Sequence, residues 1–430
     1  MIAAALFPVP NGGRRAYLAY NHNHPDTALM TLAVAPTEAE LYPAATSSLA
    51  GFPVISIFSG AGGMDLGIAD LGGSIRVCVE ADHHCVDTLV ANRVFYPDAE
   101  IIDRPIEFVS STEILRAARL GKGEAALLIG GPPCQPFSKS GYWRKEARAG
   151  INDARAWYVG EYLRVLRDTR PEAFILENVP SLLHPAHRSG LEWFVWRASR
   201  LGYTVDYRIL HAPEYGVPQS RTRLFVLGMR GKHQPSFPKP THWWHERDRS
   251  PKLQQPETAG RWIARLDRAS LAEAEEVTSG RWERALSEIP PGGNYKHLTA
   301  WARHPRPLFV TETKYWSFLL KLSPLRPAWT IQATPGPWTG PFHWSSRRLR
   351  VPELAALQTF PTKYVFAGGR RARIKQIGNA VPCRLASVIG AALLEPVLGV
   401  APERGQTLRF RLARGYPFDR FAVTHKGHRW

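Results

Sequence analysis

The segment Pro53-Val54-Ile55-Ser56-Ile57-Phe58-Ser59-Gly60-Ala61-Gly62-Gly63-Met64-Asp65-Leu66-Gly67 decides the fold. Its β-branched run, Val54 to Phe58, predicts a strand, the small residues after it a tight loop, and the apolar spacing beyond them a helix. Similar units recur downstream. Strands are expected at Ile75 to Glu80, Ala125 to Gly130 and Ala173 to Leu176, and helices at Asp82 to Asn92 and Ala156 to Arg167. Strands alternating with helices at this spacing imply parallel crossovers and a doubly wound, Rossmann-like α/β sheet. A further β-rich piece, Arg223 to Met229, closes the run, and helical spacing returns at Val351 to Phe360 and Cys383 to Leu398.

Chemistry-bearing residues collect at the expected carboxyl ends of these strands, where doubly wound sheets bind ligands. Glycines after the first strand let backbone approach a cofactor, and Glu80, ending the second, can accept both hydroxyls of a ribose. After the third comes Gly130-Gly131-Pro132-Pro133-Cys134-Gln135-Pro136-Phe137-Ser138, whose prolines fix the backbone just before a thiol. The fourth ends in Glu177-Asn178-Val179-Pro180. A carboxyl in a dry site there would have a raised pKa and could hold a proton at neutral pH. Gln219-Ser220-Arg221-Thr222-Arg223 sets two arginines on one face of an extended segment.

Bulk composition narrows the partner. The 430 residues carry 55 Lys plus Arg against 37 Asp plus Glu, a formal charge of +18, which points to a polyanion. The four cysteines show neither CxxC pairs nor zinc spacing, so no disulfide framework and no metal site are expected, and a reducing cytosol fits. Apolar runs fall short of the roughly 18 residues a membrane span needs, and no secretion leader is read. Between residues 232 and 345 periodicity fades and nine of the 14 tryptophans collect, so this stretch is expected to fold separately.

Taken together and in order, the four motifs resemble those of the cytosine carbon-5 DNA methyltransferases of the prokaryotic restriction-modification type, over about 350 residues. RRLRVPELAALQTFP, Arg347 to Pro361, and QIGNAVP, Gln376 to Pro382, extend the likeness. The resemblance implies an S-adenosylmethionine-dependent methyltransferase sheet in two parts, residues 51–231 and 346–400, around a smaller irregular target-recognition domain at 232–345. Residues 1–50 form an extension and 401–430 a basic tail, each of unassigned role.

It further implies that Cys134 is the nucleophile, that Glu177 handles a proton, and that Arg221 and Arg223 face the base. Phe58, Gly60, Gly63, Glu80, Asp103, Pro133, Asn379 and Ala380 would line the S-adenosylmethionine site, with Tyr158 nearby. The implied substrate is double-stranded DNA with the target cytosine flipped out, met by a monomer in the bacterial cytoplasm, at the nucleoid. The loop after the nucleophile, Ser138 to Gly150, is expected to close on DNA. Two rival readings are an RNA cytosine-5 methyltransferase and a catalytically inactive DNA-binding regulator. The first lacks the Cys-Phe-Thr signature of its tRNA-acting branch, and intact Cys134, Glu177, Arg221 and Arg223 oppose the second.

Overall fold

The protein is described by a computed structural model covering residues 16–17, 33–34, 51–133, 155–185, 188–309, 316–398 and 408. Two units are distinguished, Met1–Ala50 and Gly51–Trp430. In the first, Ala16–Tyr17 pairs antiparallel with Ala33–Val34.

The second is built on a seven-stranded sheet. Its strands are β1 (Phe52–Ile57), β2 (Gly73–Glu80), β3 (Glu100–Asp103), β4 (Leu127–Gly130), β5 (Ala173–Asn178), β6 (Tyr203–His211) and, after the two-residue β7 (Gln219–Ser220), β8 (Thr222–Arg230). They lie in the order β3-β2-β1-β4-β5-β8-β6. The first five are parallel, joined through helices α1 (Gly63–Ala69), α2 (His83–Ala91), α3 (Ser111–Ala118) and α4 (Arg155–Thr169). Strand order reverses between β1 and β4, so their carboxyl ends splay apart and leave a crevice. The doubly wound sheet is mostly parallel, and β8 runs antiparallel to both β5 and β6. The chain returns from β6 through a short turn and β7, too short a link for the helical crossover a parallel neighbour requires.

Burial on both faces explains the near-continuous apolar strands. Successive side chains point to opposite faces. Ile55, Ile57, Leu128, Phe174 and Leu176 therefore pack with α3, α4 and α5 (Arg188–Arg200), whereas Val54, Leu127, Ile129 and Ile175 meet the opposite layer. Leu128 is fully buried, and its truncation to Ala is expected to cost about 2–5 kcal/mol. Local chemistry starts the helices: Asp82 caps the N-terminus of α2 by accepting from the His84 N–H, and Ser110 that of α3 by accepting from the Glu113 N–H.

The opposite layer is completed from far along the chain. After α6 (Ala259–Ile263), α7 (Glu283–Glu288) and the short β9 (Ala328–Trp329) come α8 (Val351–Leu357), α9 (Arg370–Asn379) and α10 (Cys383–Leu398). Helix α10 lies against α1, where a methyl on Gly67 would collide with the Cys383 carbonyl and with Ala386. The stretch Arg370–Pro396 is long and apolar enough to cross a membrane, but 78% of its most apolar window is buried inside the protein. It is a core element.

Residues 232–345 contribute in two ways. Leu286, Ile289, Tyr295, Leu298, Leu319 and Phe342 form a small core of their own, while Trp262, Ile263, Leu322 and Ile331 join the main one. Two arginines of the Arg347–Pro361 signature, and Arg370 at the start of α9, bind this stretch. Arg347 bridges Asp267 and the fully buried Glu353, Arg350 pairs with Glu276, and Arg370 with Glu273. Asp267, His343 and Glu353 approach one another closely enough to hold a cation, but the Arg347 guanidinium already spans both carboxylates.

Candidate active site

A cavity of about 700 Å³ opens at the carboxyl ends of β1, β2, β4 and β5, the crevice that the strand order creates. A more open hollow of about 730 Å³, over Ser110–Thr112, Lys122, Arg164 and Asp168, holds none of the motif residues. The motif residues collect around the first.

Its floor is the loop from Phe58 to Gly63. Phe58, at φ 53, and Gly60, at φ 55, both lie in the left-handed region, and for a bulky side chain that is a strained conformation. Open space lies where a Gly60 Cβ would project, so a ligand can approach the backbone there. Two buried tyrosines hold the loop from beneath: Tyr364 Oη donates to the Ala61 carbonyl at 2.8 Å and Tyr96 Oη to that of Gly62 at 3.1 Å. At Gly62, φ 74, an added Cβ would be strained and would strike the Tyr96 hydroxyl.

Glu80 closes one end. Its Oε2 accepts from the Gly60 N–H at 2.7 Å and its Oε1 from those of Ala81 and Asp82, both at 2.9 Å. Burial pushes this carboxyl up, and the three N–H groups oppose that. The rest of this end comes from Phe58, Tyr158, whose ring meets Phe58 edge-on at 5.6 Å, and Arg104–Glu107. Asp103 ends β3 in register with Glu80 but is exposed and outside the lining.

Gly131–Pro133, Glu177, Arg223 and Asn379–Val381 form the other end. Glu177 is buried, and the Arg223 guanidinium meets it at 2.9 Å through Nε. Burial raises the Glu177 carboxyl above its ordinary value, and Arg223 and Arg221 pull it back. Asn178 fixes the neighbouring backbone by donating to the Pro132 carbonyl at 3.2 Å. Arg221 behaves differently from Arg223. Only 1% exposed, it turns from the cavity and donates from Nη2 to the Gly378 carbonyl at 2.9 Å and to that of Asn379 at 3.4 Å. Burial, with Arg223 adjacent, brings its pKa down to about 9.

Cys134, next after Pro133, lies outside the described residues, as does the loop from Ser138 to Gly150. Cys78, Cys85 and Cys383 are buried, and desolvation pushes all three thiols up, so none offers a thiolate near neutral pH. Sequence reading missed Tyr96, Tyr364 and Gln358, which support the cavity from behind. It also missed Asp65, a buried carboxyl under the loop whose pKa burial raises to about 6. No periodicity or motif spacing marks the tyrosines; only the folded contact does.

Known proteins are similar to this chain over most of its length. Residues 52–395 match the family described as C-5 cytosine-specific DNA methylase. The Type II methyltransferase M.SacI of Streptomyces achromogenes is 41% identical over 381 residues, covering 83% of this chain and 96% of that protein. M1.HphI, a Type II methyltransferase of Haemophilus parahaemolyticus, is 31% identical over 79% of this chain and 86% of its own. In solved structures, the fold resembles a DNA modification methyltransferase encoded within an E. coli prophage, with a TM-score of 0.55, 20% identity and coverage of 81% and 100%.

Proposed function

This chain belongs to the C-5 cytosine-specific DNA methylase family, and from that premise we propose that it methylates carbon 5 of cytosine in a specific duplex DNA sequence, with S-adenosylmethionine as donor and Cys134 as nucleophile, within a restriction-modification system. One observation carries the assignment of roles: a single cavity has a ribose-type carboxylate, Glu80, at one end and the Glu177–Arg223 pair beside Pro133 at the other.

The residues present fit the donor. Gly60 leaves room for a ligand at the backbone, and Glu80 is held in place by three N–H groups. Bound there, S-adenosylmethionine supplies an electrophilic methyl group. Phe58, Tyr158 and Gly63 would line its adenosine and thioether portions, and Asn379 and Ala380 its amino-acid end.

The protein's own work is to make carbon 5 nucleophilic. Cys134 Sγ adds to carbon 6 of the flipped-out cytosine, and the displaced electron pair moves through the ring toward nitrogen 3 and oxygen 2. Glu177, whose carboxyl burial keeps protonation-prone, holds a proton at nitrogen 3, while Arg223 stabilises charge at oxygen 2. With the donor bound, its methyl–sulfur bond would break as carbon 5 takes the methyl carbon, leaving the thioether S-adenosylhomocysteine; carbon 5 would then give its proton to water as the Sγ–carbon 6 bond breaks and frees Cys134. Residues 232–345 act as the target-recognition domain between the two catalytic parts, 51–231 and 346–400. The protein works on DNA in the bacterial cytoplasm.

The test is direct. Plasmid DNA is incubated with purified protein and S-adenosylmethionine, and bisulfite sequencing maps protected cytosines. Protection at one recurring site supports the reading, and uniform conversion refutes it.

A further inference from the structure

A helix leaves its last carbonyls without partners inside it. At the end of α9 four consecutive carbonyls, Ile377 to Ala380, are instead taken by two side chains from elsewhere. Arg221 holds the middle two. Gln358 holds the outer two, donating from Nε2 to Ile377 at 2.7 Å and to Ala380 at 3.2 Å. Its Oε1 accepts from Gln219 Nε2 at 3.0 Å. Carbonyls only accept, so the amide orientation is fixed by the network. Gln358 is fully buried and does not line the cavity.

We propose that Gln358 is a positioning residue for the amino-acid end of the methyl donor, an inference that rests on the cavity being the S-adenosylmethionine site. The transferred methyl must face the base beside Pro133, so the sulfur and the amino-acid arm attached to it lie at the end walled by residues 379–381. That wall has no slack. A methyl on Gly63 would already strike the Val381 carbonyl and crowd Ala380. Two hydrogen bonds from one amide span the turn and set the wall's distance from the glycine loop. Their loss would let it drift relative to the arm while the Glu80 end stays in place.

Titration calorimetry with S-adenosylhomocysteine and 5′-methylthioadenosine separates the arm from the rest, because only the first carries it. In Gln358→Leu, S-adenosylhomocysteine affinity is expected to fall roughly tenfold, the effect of two lost hydrogen bonds of ordinary strength, with 5′-methylthioadenosine changing less than about twofold. Gln358→Glu keeps the shape and the acceptor for Gln219 but cannot offer both donors, and is expected to show the same selective loss should the Leu variant melt early. In turnover, KM for S-adenosylmethionine rises with kcat nearly unchanged. Equal losses for both ligands, or none for either, in the folded variants overturn the proposal. Failure of the native protein to bind S-adenosylhomocysteine instead overturns the cofactor reading beneath it.

Discussion

Arg223→Met removes one half of the buried pair with Glu177 while keeping much of the side chain's length. Unit charges about 4 Å apart attract by about 4 kcal/mol at an effective dielectric near 20, and stripping one partner from a buried pair costs about 3–5 kcal/mol. Two features place this case at the lower end. The side chains keep 16% and 11% of their exposure, and Arg221 still acts on the carboxylate. A loss of about 3 kcal/mol is expected at pH near 8. Its pH dependence has a definite sign. Burial raises Glu177 above 4.5, so the folded state binds this proton more tightly than the unfolded chain does. The associated stabilisation is complete below that unfolded value and is lost as pH rises through the folded one. Without Arg223 the folded value climbs further, so the variant suffers most when the carboxyl must ionise unpaired. Urea unfolding followed by tryptophan fluorescence, at pH about 8 and about 5.5, measures both limits. A deficit equal at the two pH values within about 0.5 kcal/mol, or larger in acid, refutes the reasoning.

Cys134→Ser is expected to abolish methylation while S-adenosylhomocysteine still binds within about twofold in calorimetry, because the cofactor cradle is built from other residues. Glu80→Gln should weaken that same binding about ten- to a hundredfold, since one amide oxygen cannot serve the three N–H groups and a ribose together. In Gly62→Ala a forced left-handed backbone and the Tyr96 hydroxyl combine to cost roughly 1–3 kcal/mol, read as earlier thermal unfolding. Exchanging residues 232–345 for the matching segment of a relative should change the methylated site in a bisulfite map and leave the reaction unchanged; a folded chimera that keeps the original site would place recognition elsewhere.

Much of this was legible because the strands are short, apolar and followed at once by their chemistry. The expected strand Ile75 to Glu80 falls inside the observed Gly73–Glu80, and Cys383 to Leu398 is helical throughout. Glu80, Pro133, Glu177, Arg223 and Asn379 line one cavity as their motif order suggested. Edge strand β6 and helix α5 were not read. Several β6 side chains are half-buried or exposed, so its pattern lacks the apolar run that betrays a central strand. Alternation along Arg221 and Arg223 suggested a shared face, but Arg221 sits in the break between β7 and β8 and is drawn to the α9 carbonyls. Partners some 150 residues away leave no trace in local spacing.

The wall formed by residues 379–381 has a consequence for how the protein comes into being. The glycine loop leaves the ribosome first, and its ceiling follows about 310 residues later. At typical synthesis rates of about 5–20 residues per second, that is an interval of roughly 15–60 s in which the nascent chain has a floor and no roof for its donor. Throughout it, the α1 surface around Gly67, destined for α10, stands uncovered. A closed cavity therefore arrives late and all at once, when the final helices dock, and a chain stalled short of α9 has the glycine loop and residues 232–345 but no wall opposite that loop.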